Sequence, residues 1–192
     1  MKKKSQAEII QTLSDKELTF HLIFTQLLLL IIALILGLWL FKDLSSFLSL
    51  FRIDMQVLTY GVISGILVVM LDFLFMWLLP EAYYDDGGVN KKIFQHRSIL
   101  QIFMLTLLIA VSEELLFRGV IQTHTGIIVA SIIFAIVHIR YWKHWYLVLN
   151  VLILSFWLGL VYEISQHNLI TTMVMHFIID FLLGIQIKRK GN

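Results

Sequence analysis

Apolar residues in this chain come in long runs separated by short polar segments. A helix that crosses a bilayer needs about 20 mostly apolar residues. Runs of that kind lie near 21–41, 57–79, 100–121, 126–140, 145–163 and 168–187, the fourth being short. The pattern predicts an all-α, polytopic integral membrane helix bundle of about six transmembrane helices. Residues 1–20 are polar and place Ile9, Ile10, Leu13 and Phe20 near one helical face, as an amphipathic helix at a membrane surface would. The apolar run that follows is too long for a signal peptide and no small-residue cleavage site follows it. Residues 42–56 alternate apolar and polar and read as interfacial. Residues 80–98 form the longest polar break, contain Asp85-Asp86-Gly87-Gly88, and read as a flexible loop. The expected organisation is an amphipathic segment 1–20, a single membrane domain 21–187 and a basic tail 188–192. The part of the membrane domain that carries the chemistry is 100–187.

Composition strengthens this picture. Of 192 residues, 59% are hydrophobic and 15% charged, with a mean hydropathy of +0.86. Soluble domains carry about 25% charged residues, so a soluble globular enzyme and a disordered chain are both excluded. No cysteine is present, which removes disulfides, thiolate metal sites and cysteine nucleophiles. No basic patch on a soluble face points to nucleic acid. The net charge of +2 is less informative than its distribution. Six spans put both termini on one side. That side collects Lys2, Lys3, Lys4, Lys16, Lys91, Lys92, Arg97, Arg140, Lys143, Lys188, Arg189 and Lys190, twelve of the fifteen basic residues. The excess of cationic loops on one side predicts cytoplasmic termini in a bacterial plasma membrane. Lys188-Arg189-Lys190 is a topology signal that also attracts anionic lipid. Trp142, Trp145 and Tyr146 sit where an interfacial aromatic belt is expected.

Ionisable residues inside apolar spans cost about 2.5–3.5 kcal/mol each on insertion scales and are functional by default. The third span holds Glu113, Glu114 and Arg118, the fourth ends with His138, and the sixth holds His176 and Asp180. Glu114 and Arg118 are four apart and share a face on which they can pair. Glu113 is rotated about 100° from Glu114 and can point at other helices. If the helices meet, Glu113, His138 and His176 surround a small wet cavity. A desolvated carboxylate can take a proton from water. A histidine can hold that water, and a second histidine beside Asp180 can donate to a developing oxyanion. This is water attacking a carbonyl without a covalent intermediate. Other proteolytic routes lack their residues: there is no His-Glu-x-x-His helix, and Gly61-Val-Ile-Ser64-Gly65 has the wrong spacing for the rhomboid serine motif. Asp72 and Asn150 are expected in interhelical hydrogen bonds, and His21, His96, His124, His144 and His167 at span ends or in loops.

The run Glu113-Glu114-x-x-x-Arg118-Gly119 resembles the first motif of the CPBP family, the CAAX-protease and bacteriocin-processing membrane proteins also called Abi proteins. These include the type II CAAX prenyl endopeptidases. Phe134-x-x-x-His138 is similar to the second motif and His176-x-x-x-Asp180 to the third. Asp180 stands where the prenyl endopeptidases carry asparagine, and only two spans precede the first motif. The resemblance covers residues 113–180, a little over a third of the chain. It implies a glutamate-dependent intramembrane endopeptidase acting on a membrane-associated or secreted peptide. By it, Glu113 would activate water with His138, and His176 with Asp180 would form the oxyanion site. Glu114 and Arg118 would be a structural pair or a substrate-side contact, and Phe134 would pack the motif. The family has been called metalloprotease. Two histidines with a glutamate are a known catalytic zinc set, so a divalent metal on Glu113, His138 and His176 is the alternative to a glutamate-bound water.

Two other classes compete. One is a catalytically silent scaffold regulating a membrane partner such as a sensor kinase. The other is a small proton-linked carrier, against which stands the lack of an internal repeat or of paired broken spans. With the termini inside, Glu113 falls at mid-depth or slightly toward the outer face, whereas the prenyl endopeptidases open toward the cytoplasm. Either the span count is off by one or the cavity reaches the cytoplasm from mid-depth.

Overall fold

The structure is a computed structural model and describes residues 6–190. Lys2, Lys3, Lys4 and the last two residues of the tail lie outside the described residues. The described chain is helical throughout, with no strand. In order it runs α1 (Gln6–Thr12), α2 (Asp15–Leu40), α3 (Leu44–Leu48) and α4 (Ile63–Leu78), the last preceded by a π-helical segment Val57–Val62. Then come α5 (Glu81–Tyr84), α6 (Val89–Phe94) and α7 (Ile99–Glu114). The α7 helix continues as a π-helical segment Leu115–Gln122 and the short α8 (Thr123–Thr125). The chain ends with α9 (Ile127–Val137), a 3₁₀ turn Ile139–Tyr141, α10 (Trp145–Ile164) and α11 (Leu169–Lys190).

Five helices are long and apolar enough to cross a membrane: Asp15–Leu40, Val57–Leu78, Ile99–Thr125, Trp145–Ile164 and Leu169–Lys190. The chain is an integral membrane protein with an all-α polytopic bundle. Its outward faces are apolar: Leu38, Trp39 and Trp77 are at least 80% exposed. Buried polar groups lie inside, among them Gln26, Thr106, Ser112 and Ser131. Backbone groups in hydrocarbon have no water to bond, so helices that satisfy themselves are the form this sequence must take.

Three expectations are corrected. The fourth run forms only the 11-residue α9, too short to cross alone, because His138 breaks the helix with ψ 49° and the chain turns through 139–141. Residues 6–20 do not form one helix. Ser14 caps α2 by a reciprocal capping box with Glu17, so the first long helix starts at Asp15. The 80–98 break is folded, not a flexible loop. Val89, Ile93 and Phe94 of α6 are buried against Leu18, Ile102 and Leu105.

Contacts sort the loops into two ends. At one end Gln11 donates to the Gly87 carbonyl, Lys92 donates to the Gln11 carbonyl, Arg97 reaches Thr19, and Tyr83 meets Trp145 and Tyr146 edge-on. At the other, Leu169 N–H donates to the Leu50 carbonyl, and Arg52 donates to the carbonyls of Ser165 and Gln166. Phe41 stacks edge-on with His124 there. The α9 helix therefore leads from the second end back toward the first, and α1 shares the first end with the close of α11.

The α11 helix is the post around which the bundle is built; α4, α7 and the π-helical segment 57–62 pack on it. The α4 side approaches closely because Gly61 and Gly65 are four apart. A Cβ on Gly61 would stand 2.7 Å from the Thr171 carbonyl oxygen, and one on Gly65 would stand 3.0 Å from that of Met175. Small residues at this spacing let membrane helices touch backbone to backbone.

Candidate active site

The adjacent glutamates of α7 take different surroundings. Glu114 is fully buried, while Glu113 is partly exposed to a cavity of about 590 Å³ between the helices. The cavity is also lined by Phe134, His138, His176 and Asp180, bringing together residues from α7, α9 and α11. It reaches Gln6, Asn90, Arg140 and Ile187, so it extends from mid-bundle to the end that holds α1 and the close of α11. Its depth follows from the α7 register. Glu113 lies fourteen residues past the start of that helix, about 21 Å along its axis.

Glu114 faces away from the cavity into a polar chain. Its Oε1 is 2.9 Å from His176 Nδ1, and its Oε2 is 3.5 Å from Arg118 Nε. Arg118 is fully buried, donates to Gln122 Oε1 at 3.1 Å and to Ser155 Oγ at 2.8 Å, and lies 5.4 Å over the Phe134 ring. Gln122 in turn donates to the Gly159 carbonyl and to Glu163 Oε1, each at 2.9 Å. Glu163 Oε2 is 3.0 Å from His167 Nε2. An unbroken polar path thus runs from the exposed His167 to His176. Every charge on it is compensated, as a buried charge must be. Neither Glu114 nor Arg118 lines the cavity.

The Leu115–Gln122 segment that carries Arg118 is π-helical, and Thr123 Oγ1 donates to the Arg118 carbonyl five residues back. Single π turns are frequent at functional sites because they re-aim side chains. Here Arg118 points between Glu114, Gln122 and α10.

His138 ends α9, and its Nδ1 is 2.6 Å from the Phe134 carbonyl oxygen. A carbonyl only accepts, so Nδ1 carries the hydrogen and the neutral ring keeps Nε2 as an acceptor. Phe134 is buried with its ring against His138, Phe117 and, at 6.4 Å, His176. Tyr141 stacks on the other side of His138 and also pairs with Arg140. Nearby at the same end of the cavity, burial pushes the Asp86 carboxyl up and Arg140 pulls it back down.

His176 is nearly fully buried. Its second nitrogen, Nε2, is 3.5 Å from Asp180 Oδ2, too long for a good hydrogen bond. Among the described residues no group of three or more His, Asp and Glu is arranged to hold a metal ion. The three candidate ligands Glu113, His138 and His176 line one cavity, but His176 turns both nitrogens to carboxylates.

Sequence reasoning missed Gln122, Ser155 and the link from Glu163. Gln122 is four residues from Arg118 and eight from Glu114, so the spacing that pairs those two also reaches it, whereas Ser155 lies in an apolar helix where no spacing rule singles it out. Asp72 and Asn150 do not make the expected interhelical bonds; both line the cavity.

Comparison with known proteins follows the same residues. Residues 95–182 match the family model described as type II CAAX prenyl endopeptidase Rce1-like. The chain is 48% identical over 165 residues to the uncharacterized protein YpbD of Bacillus subtilis (strain 168), covering 85% of this chain and 87% of that one. It is 32% identical over 109 residues to the UPF0177 protein YxdF of Lactococcus lactis subsp. lactis (strain IL1403), covering 54% of this chain and 59% of that one. No solved structure matches.

Proposed function

The chain belongs to the Rce1-like type II CAAX prenyl endopeptidase family, and from that premise we propose that it is an intramembrane endopeptidase that hydrolyses a peptide bond with a water activated by Glu113. The observation that carries this reading is the division between the two glutamates. Glu114 is spent on Arg118 and His176, whereas Glu113 faces the cavity that His138 also lines. Among the described residues Glu113 makes no direct ion pair, in contrast to Glu114.

In this reading the water sits between Glu113 and His138. Glu113 accepts its proton, and His138 Nε2 accepts its other hydrogen and fixes its lone pair toward the scissile carbonyl. His176 holds its ring by donating from Nδ1 to Glu114. Its Nε2–H, only loosely engaged by Asp180, turns to the oxygen that becomes negative in the tetrahedral intermediate. The proton on Glu113 then passes to the leaving amine. No step is routed through a metal, and cleavage that survives chelation supports that choice.

The substrate is a membrane-associated or secreted peptide or protein, met in lipid. The termini and the 80–98 segment face the cytoplasm of a bacterial plasma membrane, where the cavity opens. Reporter fusions at residues 40 and 190 test this: the first is expected to be active only outside and the second only inside.

The test of hydrolysis compares peptide termini in membrane and secreted fractions of the native host by mass spectrometry. Wild type and Glu113→Gln are set at matched protein levels. Loss of general-base action costs typically 10²–10⁴-fold, so specific termini are expected to vanish in the variant. Matching termini, with a phenotype that only deletion produces, would overturn hydrolysis in favour of the regulatory scaffold.

A further inference from the structure

A carboxylate outside the three motifs also faces the cavity. Asp72 lies on α4 and is partly buried in its wall, in a helix that is otherwise apolar from Ile66 to Leu71 and from Phe73 to Leu79. It has no hydrogen-bond or ion-pair partner among the described residues, unlike Glu114, Arg118, His176 and Glu163. Asn150, on α10, lines the same cavity. The rest of this wall is apolar: Leu71, Phe75, Leu154 and Trp157. Neither arginine of the motif region pairs with it: Arg140, which also lines the cavity, lies over Tyr141, and Arg118 is turned away from the cavity.

A carboxylate at this depth in a membrane helix is costly unless something pairs with it. The described residues supply no partner to Asp72, whereas Glu114, Arg118, His176 and Asp180 each face an opposite charge. Glu113, the other cavity carboxylate with no direct ion pair among the described residues, has the water-activating task already given to it. The complement of the Asp72 wall is an apolar peptide segment with one cation. We infer that Asp72 is a specificity-determining residue: it receives a basic side chain of the substrate, with Asn150 as a neutral hydrogen-bonding neighbour. The substrate class is then an apolar peptide segment bearing a lysine or arginine near the cleaved bond. This rests on the reading of the cavity as a peptide-binding site.

The test uses the full chain in vesicles of a single anionic lipid. The probes are synthetic leucine/alanine peptides, each carrying one lysine, one norleucine or one glutamate at successive positions. Binding is measured on Glu113→Gln and on Glu113→Gln with Asp72→Asn or Asp72→Lys; cleavage is measured on wild type and Asp72→Asn. Norleucine keeps the length of lysine without the charge. At one register the lysine peptide is expected to bind at least about tenfold more tightly than its norleucine twin, the scale of a single desolvated ion pair. Asp72→Asn should bring that ratio toward one. Asp72→Lys should move the preference to the glutamate peptide at the same register. A lysine-to-norleucine ratio that Asp72→Asn leaves unchanged would overturn the inference, as would binding of no peptide at all. Asp72-dependent binding without cleavage by wild type supports the subsite while counting against hydrolysis. Cleavage with no lysine preference does the reverse.

Discussion

At the level of single residues, Glu113 and Glu114 show how one peptide bond separates two tasks. The helical twist sends one carboxylate to a cavity and the other to a buried guanidinium. Removing Arg118 breaks a buried ion pair and leaves Glu114 with His176 alone, a change that costs about 3–5 kcal/mol. Arg118→Met is therefore expected to fold poorly, seen as loss of a monodisperse peak in detergent. Replacing Glu114 as well should recover part of that peak. Ser155→Ala removes a hydrogen bond to a charged group, about 1.5–3 kcal/mol. Its midpoint of heat-induced aggregation should fall below that of wild type, while the cavity keeps its lining. The pairing of Glu114 with Arg118 could be read from their spacing of four. The partner Gln122 follows at the same spacing of four, while Ser155 could not be read because it comes from another helix. The unpaired state of Asp72 was hidden for a related reason: only the fold reveals that no hydrogen bond or ion pair reaches it among the described residues.

At the level of elements, the long apolar runs announced five of the helices and the polar breaks announced their order. Boundaries were harder, since a cap outweighs hydropathy locally. Ser14 and Glu17 start α2 six residues before the apolar run begins. Ser14→Ala removes that cap at a cost of about 1 kcal/mol, and hydrogen exchange should rise in the first turn of α2 without change in α7. Gly61 and Gly65 were useful to the sequence reading only for excluding a serine motif. In the fold they set the distance between α4 and α11. Gly61→Val would drive a branched side chain into the Thr171 carbonyl, so α4 must move off α11. A chemical cross-link placed between these two helices should lose its yield in that variant, and the Asp72 wall of the cavity should move with it.

At the level of the whole molecule, the end-to-end sorting of loops reconciles mid-depth chemistry with access from the terminal side. The cavity itself bridges the distance, and the six expected spans become five helices long enough to cross with the short α9 between them. The alternation of apolar runs foretold which loops lie together, and the basic residues add only the side they are expected to face. The extent of the cavity was not legible, since it depends on which side chains fail to meet.

The shortness of α9 sets an elastic problem for the surrounding lipid. Eleven residues give about 16 Å of rise, against a hydrocarbon layer of about 30 Å. Acyl chains beside this helix must shorten or tilt, and headgroups and water are drawn inward toward His138. Such mismatch costs fractions of a kcal/mol per ångström. If the chain hydrolyses peptides, turnover is therefore expected to respond to bilayer thickness: vesicles of short-chain lipid should raise it and long-chain lipid should slow it, with the five long helices accommodating both.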